Sequence, residues 1–181
     1  MWKNKILPVL ILAALIGAPV VGFADTEMGK STGQYVDDAT ITTKVKSAIV
    51  GDAGLSGFDI NVKTYQGLVQ LSGFVNSQKI ADLAVADART VAGVKEVINS
   101  LLMEETTSTK GYVDDSTLTT KVKSAILSDS GLSGLDINVK TNHGVVQLSG
   151  FVANQSLIEQ AVNKARKVEG TRSVVNSLLI K

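Results

Sequence analysis

The apolar positions of this chain follow a pattern that is written twice. From Asp37 to Val50, Ile41, Val45, Ala48 and Ile49 recur at i, i+4, i+7 and i+8, which marks one buried face of a helix. The acidic pair and Thr at its start suit a helix N-terminus, where side-chain oxygens accept orphan N–H groups and negative charge is favoured. Gly51 and Gly54 end the helix. Ile60 and Val62 then alternate with Asn61 and Lys63, as in a half-buried strand. Tyr65-Gln66-Gly67 fits a tight hairpin with glycine in the left-handed position. The return strand places Val69, Leu71, Gly73 and Val75 on one face. Asn76 or Ser77 caps a second helix with the stripe Ile80, Ala84, Ala88 and Val91, and Gly93 closes it. A last strand runs from about Val94 to Met103, with Val97, Asn99, Leu101 and Met103 on one side.

The whole unit then returns. Residues 35–104 align with residues 112–181 without a gap, at a constant offset of 77, and about 44 of the 70 positions are identical. Leu157, Ala161, Ala165 and Val168 repeat the second helical stripe, and Asn142-His143-Gly144 repeats the hairpin. A unit of this length is too long for a solenoid repeat and long enough for a small domain. The expected fold is therefore α+β. It consists of two tandem helix-strand-strand-helix-strand domains, each a three-stranded sheet with two helices on one face. Each core is modest, so either domain alone is expected to be marginal.

Outside the repeats, Met1 to Lys5 is a short basic start and Ile6 to Val21 an apolar run broken by Pro8, Gly17 and Pro19. Gly22-Phe23-Ala24 sets small residues at −3 and −1 of a cut before Asp25, so residues 1–24 read as a cleaved signal peptide. Residues 25–34 read as a flexible lead and 105–111 as a short linker rich in Thr, Ser, Gly and charge. No cysteine follows the apolar run, which argues against a lipid anchor on the exported chain. The expected product is a soluble, exported protein.

Composition removes several classes of function. The absence of cysteine leaves no disulfide and no thiolate metal site. Without Lys3 and Lys5, 16 basic residues face 17 acidic ones, too balanced for a broad nucleic-acid footprint. Past the apolar run there is no Trp, and stacking platforms are scarce.

Catalysis has little to draw on. The one histidine, His143, sits in a hairpin opposite Gln66 of the first copy. Asp37-Asp38 and Asp114-Asp115 stand at helix starts and read as caps rather than as acid/base or calcium groups. Ser72-Gly73 and Ser149-Gly150 lack the flanking glycine and histidine partner of a nucleophile elbow. Gly54-Leu55-Ser56-Gly57 and Gly131-Leu132-Ser133-Gly134 match the loop with which KH modules clamp RNA, but a strand follows instead of a helix and basic flanks are missing. No enzyme, cofactor, metal or nucleic-acid partner is expected.

Two surfaces stand out. Lys121 and Lys123, like Lys44 and Lys46, flank an amphipathic helix, where lysine stems can lie on apolar surface while the ammonium meets a lipid phosphate. Lys164, Arg166, Lys167 and Arg172 make the end of the second domain more basic than Asp87, Arg89, Thr90 and Lys95 make the first. The other surface is the sheet face away from the helices. It carries Gln70, Ser72 and Phe74 with Ile98, Ser100 and Leu102, and in the second copy Phe151, Val175 and Leu179. Apolar residues on such a face must meet something. Packing between the two domains would cover them, as would a partner protein or client chain.

The stretch Gly67-Leu68-Val69-Gln70-Leu71-Ser72-Gly73-Phe74-Val75, followed by Gly93-Val94 and Val97-Ile98-Asn99-Ser100-Leu101, resembles the BON domain family (bacterial OsmY and nodulation). Gly144, Val146, Leu148, Gly150, Val152, Gly170, Val174, Asn176 and Leu178 match it in the second copy. A signal peptide followed by two such domains is similar to dual-BON periplasmic proteins linked to osmotic and envelope stress. The resemblance implies a non-enzymatic protein whose partner is an anionic phospholipid surface, met peripherally. The basic residues Lys121, Lys123, Lys164, Arg166, Lys167 and Arg172 are the proposed contact. The alternative it leaves is a chaperone or adaptor for envelope proteins or unfolded clients, using Phe74, Ile98, Leu102, Phe151, Val175 and Leu179.

Overall fold

The computed structural model describes residues 30–104 and 114–181. The expected signal peptide, most of the lead and the linker 105–111 lie outside them. The first domain runs α1 (Lys30–Gly51), β1 (Asn61–Tyr65), β2 (Leu68–Val75), α2 (Gln78–Thr90) and β3 (Glu96–Met103). The second repeats it as α3 (Asp115–Leu127), β4 (Asn138–Asn142), β5 (Val145–Val152), α4 (Gln155–Arg166) and β6 (Ser173–Ile180). Both are α+β units with the element order that the two apolar periods predict.

The long central strand lies between its neighbours in each sheet, in the order β1-β2-β3 and β4-β5-β6. β1 pairs antiparallel with β2 through the hairpin, with Val62 opposite Leu71. β3 pairs parallel with β2, with Val69 opposite Val97, because α2 carries the chain back along the sheet between them. The second sheet repeats both registers, with Val139 opposite Leu148 and Val146 opposite Val174.

The helices cover one face of each sheet. Ile41, Val45 and Ile49 of α1 meet Ala84 and Ala88 of α2 and Val62, Val69, Leu71 and Val97 of the sheet in one apolar cluster. Leu118, Val122 and Ile126 of α3 meet Ile158, Ala161 and Ala165 of α4 over the second sheet. The α2 stripe is shifted from the expected one. Ala81 is buried, while Ile80 and Val91 are only partly covered, and Ile158 replaces Leu157 as the buried residue of α4. Small alanines at the centre let each helix lie close to its sheet, and the larger side chains seal the edges.

The loops after α1 and α3 are packing devices. Leu55 and Leu132 are fully buried. The carboxylates of Asp52 and Asp129 accept the N–H groups of Gly54 and Gly131, at 2.6 and 3.0 Å, and fold each loop under its leucine. Removing either leucine side chain should cost about 2–5 kcal/mol. These glycines therefore shape a turn, as the strand that follows them requires.

One helix differs from expectation at its start. α1 begins at Lys30, inside the segment expected as lead, so Asp37 lies within a helix rather than ahead of one. In the second copy Asp114 does cap α3, accepting the Thr117 N–H at 3.3 Å and the Ser116 hydroxyl. These bonds hold its carboxyl below the usual 3.8.

Candidate functional site

Alternation along β2 sends Val69 and Leu71 to the helices and Gln70 and Ser72 to the opposite face. That opposite face is not open to solvent. Gln70, Ser72, Gln147 and Ser149 are all buried, because the two sheets pack on each other through it. The Ser72 and Ser149 hydroxyls share a hydrogen bond of 2.7 Å at the centre. Around them the glutamines reach across. Gln70 Nε2 donates to the Ser177 carbonyl at 2.5 Å and to Ser100 Oγ at 3.1 Å, while its Oε1 accepts the Gly150 N–H at 2.9 Å. Gln147 mirrors this, donating to the Ser100 carbonyl at 2.6 Å and Ser177 Oγ at 3.1 Å and accepting the Gly73 N–H at 2.8 Å. Both amide donors and the acceptor of each glutamine are used, which is the condition for burying an amide without penalty.

The rim repeats the same symmetry in charge. Lys63 pairs with Asp136, and Lys140 pairs with Asp59. These carboxylates are largely exposed, so the pairs contribute register more than stability. One contact breaks the symmetry. The Tyr65 ring lies 5.5 Å from that of Phe151, with Lys181 Nζ 5.7 Å from the Tyr65 centroid. Asn142 stands at the position equivalent to Tyr65. A cleft of about 670 Å³ opens beside this aromatic pair, lined by Thr42, Lys46, Lys63, Tyr65 and Lys181 among others.

Gly73 and Gly150 make the face possible. Their φ values are +131° and +127°, and a Cβ would lie 2.6 Å from the Asp59 carbonyl or 2.5 Å from that of Asp136. Only glycine takes that conformation at that distance, and the resulting backbone offers its N–H to the other domain's glutamine. The central Gln-Leu-Ser-Gly run is thus a recognition element of the interface.

The acidic residues at the helix starts have a second use that local sequence does not reveal. Asp38 accepts the N–H groups of Gln66 and Gly67, at 2.7 and 2.9 Å. Asp115 accepts those of His143 and Gly144, at 2.7 and 3.0 Å. Both turn residues are left-handed, Gln66 at φ 52° and His143 at φ 48°. A carboxylate that accepts both N–H groups offsets the strain of a non-glycine residue there. His143 also lies 3.0 Å from the Asn142 amide oxygen, as a turn residue.

The basic residues are spread over the second domain. Lys121 and Lys123 are exposed on either side of the buried Val122 of α3. Arg166 and Lys167 are exposed at the end of α4, and Arg172 is exposed ahead of β6. Lys164 is committed internally, to Asp129 at 3.0 Å, and this hydrogen bond, reinforced by the Gly131 N–H, holds the Asp129 carboxyl below 3.8. The same two positions in the first domain are Asp87 and Asp52. There the Asp87 carboxyl is raised, by desolvation first and by Asp52 second. Close to the lysines, Leu127 is 61% exposed one helical turn after Lys123, and Val50 is 75% exposed at the matching point of α1.

On the sheet face, Phe151 is buried, and Phe74, Ile98, Leu102, Val175 and Leu179 are half-buried. The alternation of β2 and β5 identified this face, and packing between the two domains, one of the covers expected for it, is what buries it. The glutamines and the Gly73 and Gly150 N–H groups, which hold it, were missed as functional residues. Their retention in both copies, with the adjoining Ser, was the available signal.

A protein with two such domains belongs to a recognisable class. Residues 37–105 and 114–181 each match the BON domain, and the chain belongs to the BON domain family. It is 41% identical to the osmotically-inducible protein Y of Escherichia coli, over 87% of this chain and 79% of that protein. It is 34% identical to the outer membrane lipoprotein DolP of Haemophilus influenzae, over 91% of this chain and 85% of that one. A 21 kDa hemolysin of Actinobacillus pleuropneumoniae is 30% identical, over 81% of this chain and 75% of its own length.

Proposed function

We propose that this chain is a non-enzymatic protein of the periplasm that protects the cell envelope under osmotic stress by binding anionic phospholipid surfaces peripherally. The observation that carries the reading is Leu127, an apolar side chain 61% exposed, one turn beyond Lys123 on α3. A leucine beside a lysine at a helix end suits a membrane surface, with the leucine entering the headgroup layer and the ammonium meeting phosphate. Arg166 and Lys167 add exposed charge at the end of the neighbouring α4. The relatives named for osmotic induction and for the outer membrane support the compartment and the stress.

The rival reading, an apolar sheet face that holds protein clients, is weakened by the burial of Gln70, Ser72, Gln147 and Ser149 between the domains. A client would have to displace that contact first.

Co-sedimentation with vesicles of phosphatidylcholine, with and without phosphatidylglycerol, tests the lipid reading. Binding is expected only with the anionic lipid and is expected to weaken with salt. Each basic residue near such a surface contributes about 1 kcal/mol, so Lys123→Glu with Lys167→Glu should lower affinity more than tenfold. Leu127→Asp should lower it further. Undiminished binding by the triple variant would reject this surface.

A further inference from the structure

The face that joins the two domains is self-complementary. Asp59, Lys63, Gln70, Ser72, Gly73 and Ser100 make its polar contacts from the first domain, and the residues 77 positions later are of identical type. Every polar contact has its reciprocal: Gln70 to Gly150 and Gln147 to Gly73, Lys63 to Asp136 and Lys140 to Asp59. A patch that pairs about a twofold axis with a chemical copy of itself needs nothing further to pair with a true copy.

We propose that this face also joins two chains, the first domain of one against the first domain of another, when the contact within a chain opens. The occupant is a second copy of this protein. In that pairing, the Gln70 amide meets the Ser100 carbonyl and the Gly73 N–H of the other chain, Lys63 meets Asp59, and Ser72 meets its own counterpart on the axis. No buried polar group loses its partner, which is the usual obstacle to a polar interface forming with the wrong surface. The aromatic contact decides which domain pairs better. Tyr65 meets Phe151 within the chain, and a first-domain pair sets Tyr65 against Phe74 twice, whereas a second-domain pair has Asn142 there and gains no ring contact. Tethering gives the contact within one chain an effective concentration on the order of millimolar. Exchange between chains is therefore expected at high protein concentration, or when the internal contact is weakened.

The chain has no cysteine, which makes covalent capture clean. With the Ser72 and Ser149 oxygens 2.7 Å apart, Ser72→Cys with Ser149→Cys should close an internal disulfide and leave a monomer. Ser72→Cys alone should give a disulfide-linked dimer under mild oxidation of the concentrated full chain. Rim charges then report specificity. Adding Asp136→Lys and Lys140→Asp opposes like charges within the chain but leaves both same-domain pairings matched, and the dimer yield should rise several-fold. Adding Asp59→Lys and Lys63→Asp as well restores the internal match, and the yield should return to that of Ser72→Cys alone. A Ser72→Cys chain that stays monomeric in all three charge backgrounds, while the double-cysteine chain closes, would overturn the proposal. So would a dimer yield that ignores the rim charges, as cross-linking through exposed Val50→Cys should. Failure of the double-cysteine chain to close would reject the interface itself. Should the cysteine variants misfold, sedimentation of the Asp136→Lys, Lys140→Asp chain decides: a concentration-dependent dimer is expected, and a monomer throughout overturns the proposal.

Discussion

Ser72 and Ser149 share a 2.7 Å hydrogen bond across 77 residues of sequence, at the point where the two sheets meet. Packed sheets usually meet through apolar side chains. Here the centre is serine and glutamine, with each polar group matched across the gap. An apolar face tolerates sliding, whereas a hydrogen-bonded one accepts a single register. The interface therefore sets how the two domains are oriented, and with it which surfaces of α3 and α4 remain outside.

Gln147→Leu keeps volume and removes the amide. It strands the Gly73 N–H and the Ser100 carbonyl, both at the interface. Unpaired buried groups cost about 1–3 kcal/mol each, so a loss of about 2–4 kcal/mol is expected from urea unfolding. Gln147→Glu should be at least as costly, since it buries a charge in the same place.

Gly150→Ala should destabilise by about 3 kcal/mol or more, because it adds a close contact with the Asp136 carbonyl to an unfavourable φ of +127°. Gly134→Ala is the control. Its φ is +85° with nothing within 4 Å, and the conformational cost alone is about 1 kcal/mol. Thermal unfolding of the two variants separates the clash from the backbone cost.

Much of the fold could be read along the chain. The spacing of Ile41, Val45 and Ile49 and the alternation of Val69 and Leu71 are direct records of what each residue packs against within its domain. That the opposite face must be covered could also be read, with packing between the two domains as one cover, but not which atoms make the contact, because alternation says which side chains share a face and not what each one meets. Gln70 reads as a polar member of that face, and its bonds to Ser177 and Gly150 follow only once the second sheet is placed. Asp38 was hidden for a similar reason. An acid at a helix start reads as a cap, and the hairpin it holds lies 28 residues away. The exposed lysines were visible, but the engagement of Lys164 with Asp129 depends on a loop whose path only the fold supplies.

Asp38→Ala removes the acceptor of two turn N–H groups and leaves Gln66 left-handed without support. Hydrogen bonds to a charged group contribute about 1.5–3 kcal/mol, so a loss near 2 kcal/mol is expected. Gln66→Gly relieves the strain and should recover part of it. A double-mutant cycle by chemical unfolding reads the coupling, and strict additivity would show that Asp38 does not support the turn.

The two domains should respond to acid in opposite senses. Asp129 is lowered in the folded state, by Lys164 first and the Gly131 N–H second, so its contribution is complete above about pH 3.8 and fades as pH falls through the folded value. Asp114 adds to the same loss. Asp87 is raised, so its ionisation disfavours the fold as pH climbs through and beyond 3.8. Lys164→Met should therefore destabilise at neutral pH and converge on the parent chain as pH falls below 3.8 and through the folded value of Asp129. Asp87→Lys, which places the lysine of the second domain opposite Asp52, should stabilise at neutral pH and lose that gain in acid. Thermal unfolding across pH 2.5–7 checks both signs.

The last prediction concerns what survives when the linker is cut. A specific protease site placed between Ser108 and Thr109 lies within the stretch expected as linker. Each fragment keeps its own apolar core, with Val45 and Leu71 in one and Val122 and Leu148 in the other. Separating them would expose the glutamine and serine face of both sheets and return each hydrogen bond to water, so the polar centre alone gives little net affinity. The Tyr65–Phe151 contact and the half-buried Ile98, Leu102, Val175 and Leu179 supply the apolar part. The cut chain should therefore elute as one species at tens of micromolar and dissociate on dilution. Loss of the tether removes a millimolar effective concentration, so the midpoint of unfolding should become concentration-dependent. Gln70→Leu in the cut chain should shift dissociation to at least tenfold higher concentration. Fragments that separate at every concentration would show that the linker, and not the face, holds the domains together.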